Sequence, residues 1–358
     1  MFAAGLVMLV GGAELLVRGA SRLAALMHVP SLIVGLTIVA FGTSFPELAV
    51  SVQSALAGKA DIALGNVVGS NIFNVLFILG ISAIISPLSI SLQLVRFDVP
   101  IMIGASVLTF IMALDGTISR IDGLILFSLI VVYTVWLIVK ESAAVDDHDS
   151  NERTIPSGKG VMTSIIHQSA VITFGLIMLV VGSRWLVTGA VTIARLLGVS
   201  ELLIGLTIVA AGTSLPEAAT SIVAAIRHER DIAVGNIVGS NIFNIFSVLG
   251  LASAIVPGGV AVNETALRFD IPVMIAVSFA CLPIFFTGSR IARWEGFLFF
   301  GYYVAYTVYL VLSETHGIML DRFNHVMAMF VIPITVITLI VSVVGSVRAG
   351  RCSQERLP

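Results

Sequence analysis

The stretch GLTIVAFGTSFPELAVS at residues 35–51 recurs in the same chain as GLTIVAAGTSLPEAATS at residues 205–221. A second stretch, DIALGNVVGSNIFNVLFILG at 61–80, recurs as DIAVGNIVGSNIFNIFSVLG at 231–250, with 14 of 20 positions identical. Both pairs are separated by the same 170 residues. A repeat of this length at a constant offset predicts that the chain consists of two homologous halves.

The composition indicates that these halves lie in a lipid bilayer. Of the 358 residues, 58% are apolar and only 11% are charged, whereas soluble domains are about 25% charged. So few charges cannot cover a water-exposed surface of this size, which excludes a soluble enzyme, a nucleic-acid-binding protein and a disordered chain. A membrane-spanning helix needs about 20 apolar residues. The sequence predicts eleven such spans, at 3–24, 31–57, 62–86, 95–114, 121–140, 165–196, 202–226, 232–256, 269–287, 294–313 and 326–347.

The number of spans determines how the two halves are related. Five spans separate each residue of the first half from its copy, and an odd number turns the second copy upside down in the membrane. Inverted repeats of this kind are typical of secondary transporters. The sequence therefore predicts an all-α polytopic membrane protein with a ten-helix (5+5) inverted repeat and one extra C-terminal helix. The expected divisions are a first membrane half at 1–140, a short cytoplasmic linker at 141–160, an inverted second half at 161–315, and an extra transmembrane helix with a basic tail at 316–358.

The distribution of Lys and Arg predicts the orientation. With the N-terminus outside, 13 of these residues lie at inner ends and loops and 5 lie in outer loops, and with Arg184 inside a span they account for all 19. An excess of basic residues on the cytoplasmic side is the general rule. We therefore expect a multi-pass protein of the cell membrane, in bacteria the inner membrane, with its N-terminus outside and its C-terminus in the cytoplasm.

The motifs GTSFPE and GTSLPE each set a proline and a glutamate inside an apolar span. Pro46 cannot donate to the Gly42 carbonyl, and its ring crowds that carbonyl, so the helix must kink or break there. Carbonyls freed at membrane depth require a cavity or a partner. Glu47 follows at once, and the second copy repeats the arrangement with Pro216 and Glu217. Carboxylates, carbonyls and hydroxyls form an all-oxygen set that suits hard cations such as Ca²⁺, Na⁺ or Mg²⁺, with hydroxyls from Thr43, Ser44, Thr213 and Ser214.

The GSNIFN motifs add further polar groups at helical spacing. Residues four apart share one face of a helix, which pairs Ser70 with Asn74 and Ser240 with Asn244. Glycines at the same spacing let helices approach closely, and both copies carry a pair of them. The other asparagines lie elsewhere around the turn and are expected to hydrogen-bond between helices, namely Asn66, Asn71, Asn236 and Asn241.

Through these two pairs of motifs the sequence resembles the cation/Ca²⁺ exchangers, which include the sodium/calcium exchangers, and especially their short prokaryotic members. The resemblance implies the exchanger fold, transport of Ca²⁺ and Na⁺, and no cofactor. It also implies alternating access, in which the first and sixth helices slide against the rest. It implies that Glu47 and Glu217 are paired Ca²⁺ ligands and that the carbonyls of Thr43 and Thr213 complete the Ca²⁺ site. Flanking Na⁺ sites would be formed by Ser44, Ser70, Asn74 and the Ala40 carbonyl, and by Ser214, Ser240, Asn244 and the Ala210 carbonyl.

One departure from the family concerns charge. Much of the family has an acidic residue at the position of Asn74 or Asn244, and this chain has an amide at both. The expected site therefore carries two formal negative charges, enough to neutralise one Ca²⁺ or two monovalent ions. Three Na⁺ would leave excess positive charge in a medium of low dielectric, which costs free energy. A 3:1 stoichiometry is thus implied by the resemblance alone, and a K⁺-dependent activity is disfavoured.

The leading functional hypothesis is a secondary antiporter that exchanges Na⁺ for Ca²⁺ by alternating access at an oxygen-lined site near the membrane midplane. The alternative within the same class is exchange of H⁺ for Ca²⁺ or another divalent cation, with both glutamates taking up protons. A cation channel is a more distant alternative, because inverted repeats are not typical of a continuous pore. No span combines a nucleophile with a base, so an enzyme is not expected. The expected partners are the transported ions and the bilayer, without nucleic acid, and a monomer is expected.

Three further polar features predict structural roles. Glu14 and Arg184 occupy matching positions with opposite charges in the first and sixth spans, which predicts an ion pair between those helices. Asp98 and Asp270, each in the repeated sequence RFDVP or RFDIP, lie near a helix start and predict N-caps. The acidic run DDHDSNE at 146–152 lacks the glycine and the terminal glutamate of an EF-hand loop, and is typical of a solvated linker.

Overall fold

The protein is helical apart from four two-residue strands, in a computed structural model that describes residues 1–148, 159–198, 204, 208, 210–286, 290–315, 320 and 324–333. The elements of the first half run in the order α1 (Phe2–Met27), α2 (Ser31–Thr43), α3 (Phe45–Leu56), α4 (Ala60–Ile85), β1 (Leu88–Ser89), α5 (Leu94–Ala113), β2 (Thr117–Ile118) and α6 (Arg120–His148). Those of the second half are α7 (Lys159–Leu196), α8 (Ala210–Gly212), α9 (Leu215–Ile226), α10 (Arg230–Ile255), β3 (Val260–Ala261), α11 (Ile271–Phe286), β4 (Arg290–Ile291) and α12 (Arg293–Thr315).

Seven of the described helices are long and apolar enough to cross a membrane, and the bent pair α2 and α3 makes an eighth if it forms one span. The span predicted at 269–287 is present as α11. The spans predicted at 202–226 and 326–347, and the acidic run at 146–152, lie partly outside the described residues. Helix therefore occupies most of each predicted span where the structure describes it, apart from a break at Ser44 and another at 213–214.

Turns of π-helix occur at matching places in the two halves. Such turns within α-helices are frequent at functional sites. Two of them begin at the asparagines of the GSNIFN motifs, and two end at the aspartates of the RFDVP and RFDIP motifs. Their bounds are Asn74–Leu79, Asn244–Leu249, Leu94–Asp98 and Ala266–Asp270.

The short strands test the predicted inversion. β1 pairs antiparallel with β4, and β2 pairs antiparallel with β3. By the predicted numbering, β1 and β4 follow the third and ninth spans, whereas β2 and β3 follow the fourth and eighth. Loops after odd-numbered spans thus meet on one face, which is also the face where α6 ends and α7 begins, and loops after even-numbered spans meet on the other. We call these the linker face and the opposite face.

α1 and α7, the first and sixth spans, pack as an antiparallel pair. Gly12 lies against Gly175, and a methyl group added at Gly12 would lie 2.7 Å from the Gly175 carbonyl oxygen. Gly5 lies in the same way against Gly182. Because the absence of side chains lets the two backbones touch, this pair packs closely over several turns.

The predicted ion pair between Glu14 and Arg184 is wrong. Glu14 instead pairs with Arg18 on its own helix and with Arg227, just after α9, while Arg184 is exposed. In an antiparallel pair of helices, a residue and its repeat copy move apart along the axis in opposite directions. They lie at the same level only where the symmetry axis that relates the two repeats crosses the pair. With Gly12 level with Gly175, Glu14 lies about 11 residues, or roughly 16 Å along the axis, from the level of Arg184.

Replacing Arg227 by glutamine is expected to lower the free energy of unfolding by about 0.5 kcal/mol, because ion pairs between partly exposed side chains contribute little. The exposed fractions of Arg227 and Glu14 are 46% and 25%. The thermal midpoint in detergent should fall by about 1 °C. The matched control is Arg184→Gln, which should leave the midpoint unchanged. An equal fall of the midpoint in both variants would instead support an ion pair between Glu14 and Arg184.

The expectation that Asp98 and Asp270 cap helices is also wrong. Asp98 makes no capping hydrogen bond and accepts one from the Tyr133 hydroxyl at 3.0 Å. Asp270 accepts one from the Tyr306 hydroxyl at 3.1 Å. The physical reason is that neither helix begins at its aspartate. Each aspartate is the last residue of a π turn that continues without interruption into the following α-helix. Neither aspartate therefore lies at a free helix end that it could cap.

Candidate cation-binding site

Two broken helices bring the motif glutamates into the core. The axis bends by 42° between α2 and α3, and the break falls at Ser44, two residues before Pro46. The break predicted from the proline is therefore present. Ser214 has nearly the same backbone angles before α9. Each glutamate consequently lies in the first turn of a new helix, where the positive end of the helix dipole favours a carboxylate.

Hydrogen bonds cross from each half to the other around these glutamates. The Ser44 hydroxyl donates to Glu217 Oε1 at 3.0 Å, and the Ser214 hydroxyl donates to Glu47 Oε1 at 2.9 Å. Ser214 Oγ also lies 2.9 Å from Ser70 Oγ. The two halves thus share a single polar cluster, and each carboxylate is held by the serine of the opposite motif.

The second oxygen of each carboxylate has no hydrogen-bond partner, although Glu47 and Glu217 are fully buried. The same is true of the side-chain oxygens of Asn74 and Asn244, which are also fully buried. Among the described residues neither carboxylate forms an ion pair. Because burying unpaired acceptors and charges is costly, these four oxygens call for a cation or a hydrogen-bond donor between them.

Two asparagines orient the amides of the site. Asn74 donates through Nδ2 to Asn241 Oδ1 at 2.9 Å, and Asn244 donates through Nδ2 to Asn71 Oδ1 at 3.1 Å. Since the hydrogen-bond network determines which way an amide points, each NH₂ group is turned away and each Oδ1 is left free to accept. An acceptor in this orientation suits a cation and excludes an anion.

A second pair of asparagines supports the broken helices. Asn66 Nδ2 donates to the Glu47 carbonyl at 3.3 Å, and Asn236 Nδ2 donates to the Glu217 carbonyl at 3.4 Å. Their side-chain oxygens accept from the motif threonines, each at 3.1 Å, because Thr43 reaches Asn236 and Thr213 reaches Asn66. The prediction that the four asparagines outside the serine pairs bond between helices is confirmed. The sequence analysis did not predict that Asn66 and Asn236 orient the site. It also did not predict that Ser51 and Ser221 accept hydrogen bonds from these two asparagines, although both serines recur in the repeated motifs.

The other predicted ligands lie around the same cluster. The hydroxyl oxygen of Ser240 is buried without a partner. The Ala40 carbonyl accepts a hydrogen bond from the Ser44 N–H at 3.0 Å, and Ala210 begins the short helix α8. Within the described residues, no group of three or more His, Cys, Asp or Glu side chains could hold a metal ion. Any cation held here must therefore use hydroxyl, amide and carbonyl oxygens besides the two carboxylates.

A cavity of about 410 Å³ leads from one side of the cluster. Its inner wall includes Asn66, Ser70 and Thr213, and its outer part is lined by residues near the opposite face, such as Ile62 and Leu310. The Thr213 and Asn66 side chains are partly exposed, whereas Thr43 and its partner Asn236 are buried. The cluster is therefore approached from the opposite face.

Helix packing closes the linker-face side of the cluster. A methyl group added at Gly239 in α10 would lie 2.7 Å from the Leu36 carbonyl oxygen and 2.8 Å from the Ala40 side chain. The repeat equivalent, Gly69, lines the cavity and has no described atom within 4 Å of such a methyl group. Gly239 is therefore tightly packed against α2, whereas Gly69 adjoins the cavity; the copy of Leu36, Leu206, lies outside the described residues.

Replacing Asn241 by leucine is expected to weaken Ca²⁺ binding about tenfold, through loss of one hydrogen bond and of the orientation it imposes. The Asn74 amide would lose its acceptor and could turn its NH₂ group toward the cation. Calorimetric titration of the purified protein with Ca²⁺ measures this. Asn263→Leu, which removes a surface amide bonded to Asp61, is the control. Unchanged affinity in Asn241→Leu would show that the amide orientation does not matter.

The fold and the cluster together define a class of protein, in which an inverted repeat of broken membrane helices surrounds a buried, oxygen-lined site. The sodium/calcium exchanger protein family matches residues 1–139 and 167–312. The chain belongs to this family, which is one of transporters and not of enzymes.

Relatives and solved structures agree with this assignment. The sodium/calcium exchanger MaX1 of Methanosarcina acetivorans is 34% identical, with 86% of this chain and 96% of MaX1 covered. The inner membrane protein YrbG of Escherichia coli is 37% identical, with 78% and 86% covered. The structure of the sodium-calcium exchanger NCX_Mj soaked with 10 mM Na⁺ and zero Ca²⁺ matches with a TM-score of 0.73 and 30% identity, over 85% of this chain and 95% of that one. The predicted family and the predicted fold class are confirmed, and the chain is a multi-pass membrane protein.

Proposed function

We propose that the protein is a secondary antiporter that exchanges Na⁺ for Ca²⁺ across the membrane. The observation that carries the proposal is the set of four fully buried, unpaired oxygens on Glu47, Glu217, Asn74 and Asn244. A set of this kind suits hard cations, because Ca²⁺ and Na⁺ both prefer oxygen ligands. The sodium/calcium exchangers among the matched proteins support the choice of these two ions.

The site contains too little charge for both ions at once. Glu47 and Glu217 supply two negative charges, which one Ca²⁺ neutralises. Bound Na⁺ would therefore compete with Ca²⁺ for the same oxygens, and only a neutralised site would move cheaply through a medium of low dielectric. The proposed ligands are the two glutamates with the carbonyls of Thr43 and Thr213 for Ca²⁺. The proposed Na⁺ ligands are Ser44, Ser70, Asn74, Ser214, Ser240 and Asn244 with the carbonyls of Ala40 and Ala210.

The difference between the two halves supports alternating access. The Gly69 side of the cluster adjoins a cavity, whereas the Gly239 side is sealed by α2. If the Gly69 side became tightly packed and the Gly239 side became open, the site would open to the linker face and the cavity would close. With the orientation expected from Lys and Arg, N-terminus outside and C-terminus inside, the cavity opens to the outside. The site would then lie near the membrane midplane of a monomer in the bacterial inner membrane.

Vesicle transport distinguishes Na⁺ coupling from the H⁺ alternative. Vesicles containing the purified protein are loaded with Na⁺ and diluted into ⁴⁵Ca²⁺ without Na⁺ and without a pH gradient. We expect rapid Ca²⁺ uptake, and uptake should disappear when Na⁺ is equal on both sides. Uptake driven by a pH gradient, with no response to Na⁺, would overturn Na⁺ coupling in favour of H⁺/Ca²⁺ exchange. Currents far above transporter turnover rates would favour a channel.

A further inference from the structure

Among the described residues that line the cavity, one carries a carboxylate, Asp270. Asp270 ends the π turn before α11 and lines the cavity wall together with Tyr306 and Thr307. The same cavity reaches Ser70 and Thr213 of the central cluster. An ion that approaches the cluster through this cavity must therefore pass the Asp270 carboxylate.

The carboxylate is held in place but left free to bind. One of its oxygens accepts the Tyr306 hydroxyl at 3.1 Å, and the Phe269 ring stacks on the Tyr306 ring with centroids 6.3 Å apart. The nearest basic residue in sequence, Arg268, pairs with Glu264. In the part of the chain that the structure describes, no ion pair neutralises Asp270.

The equivalent aspartate of the first half is in the opposite situation. Asp98 is fully buried and accepts the Tyr133 hydroxyl. The Lys140 ammonium lies over two aromatic rings, 4.5 Å from the Phe97 ring centroid and 4.9 Å from that of Trp136. The position equivalent to Lys140 in the second half is Ser313, which carries no charge. The aspartate of the repeated Asp–Tyr pair is thus fully buried in one half and open to the cavity in the other.

We propose that Asp270 recruits cations into the cavity and holds them briefly on their way to and from the central site. This inference rests on the proposed function, since it assigns the route to that site. A carboxylate at the mouth of a low-dielectric cleft raises the local concentration of cations and their association rate. It should favour Ca²⁺ over Na⁺, because the attraction is proportional to the charge of the ion. Asp98 on the linker face has no such role in this state, because its carboxylate is fully buried and does not line the cavity.

The test compares Asp270→Asn with the matched variant Asp98→Asn. The apparent KM for ⁴⁵Ca²⁺ is measured in right-side-out and in inside-out vesicles from the same cells. We expect Asp270→Asn to raise KM about tenfold on one face only, that of the cavity, and to change KM more than the maximal rate. Asp98→Asn should leave KM on that face unchanged, and Asp270→Glu should restore it.

A second variant keeps the test decisive if Asp270→Asn does not fold. Thr307→Lys sets an ammonium on the cavity wall beside an intact Asp270 and should raise KM on the same face. Equal KM values for wild type, Asp270→Asn and Thr307→Lys on both faces would overturn the inference. The proposed function would survive that result as long as Glu47→Gln still stops exchange. Absence of Ca²⁺ exchange in the wild type would instead remove the proposed function itself.

Discussion

Replacing either Glu47 or Glu217 by glutamine is expected to abolish Ca²⁺ exchange and to weaken Ca²⁺ binding at least about 100-fold. Each substitution removes half of the negative charge of a fully buried site, and losing one member of a buried charge pair costs about 2–5 kcal/mol. The protein should still fold, because the amide oxygen can accept the hydrogen bond from Ser214 or Ser44. Within the described part of the chain, neither change leaves a basic residue unpaired, because neither glutamate forms an ion pair there.

Calorimetric titration with Ca²⁺ and vesicle exchange of ⁴⁵Ca²⁺ measure the two effects. The control is Glu264→Gln, which removes an exposed carboxylate paired with Arg268 and should leave binding and exchange unchanged. Because the cluster is symmetric, the two substitutions should weaken Ca²⁺ binding and exchange to a similar extent. If both variants bind Ca²⁺ with affinity within threefold of the wild type, the ion does not bind at these glutamates.

Adding one methyl group at Gly239 is expected to shift the protein from the state described here toward one open to the linker face. The methyl group of Gly239→Ala would lie 2.7 Å from the Leu36 carbonyl oxygen, and a backbone atom cannot turn aside as a flexible side chain can. α2 must therefore move away from α10. Overpacking of this kind costs about 1–3 kcal/mol, which changes the ratio of the two states by about 5- to 150-fold.

Gly69→Ala is the matched variant and should act in the opposite direction. A methyl group there would face the cavity and meet no described atom within 4 Å, so we expect little effect on the state with the open cavity. When the cavity closes, the repeat predicts that Gly69 takes up the tight contact that Gly239 makes now. The methyl group should then hinder closure, favour the open cavity and slow exchange.

Labelling measures both shifts in a background without Cys281 and Cys352. A single cysteine replaces Ala266, which lines the cavity, and its reaction rate with a membrane-impermeant thiol reagent is recorded. Gly239→Ala should slow this reaction and Gly69→Ala should not. Slower labelling in both variants, or in neither, would contradict the alternation of the two repeats.

The main features of the fold and candidate site could be predicted from the sequence because they depend on local patterns. The low content of charged residues indicates a bilayer, and the number of apolar runs between repeats indicates inversion. Pro46 cannot continue the helix and is followed by Glu47, and both facts repeat in the second half. Each of these inferences needs only residues close together in sequence, or the comparison of one stretch with its copy.

The wrong predictions concern the register between helices and the residue at which a helix begins. Glu14 and Arg184 matched in sequence position, but the register of α1 against α7 separates them and leaves Glu14 to Arg18 and Arg227. Asp98 looked like a cap because a proline follows two residues later, but the helix had already begun before it. Sequence position alone does not reveal which helix lies beside which, or at what level.

The sequence by itself thus indicated that the chain lies in a lipid bilayer, that it contains an inverted repeat, which family it resembles and which residues are candidate ion ligands. Only the tertiary structure decided which oxygens remain unpaired, which way the amides of Asn74 and Asn244 point, and which side of the cluster is open. The physical reason is that these properties arise from hydrogen bonds and packing across the repeat symmetry. Two nearly identical motifs can therefore differ in environment, as Gly69 and Gly239 do, when the helices around them are placed differently.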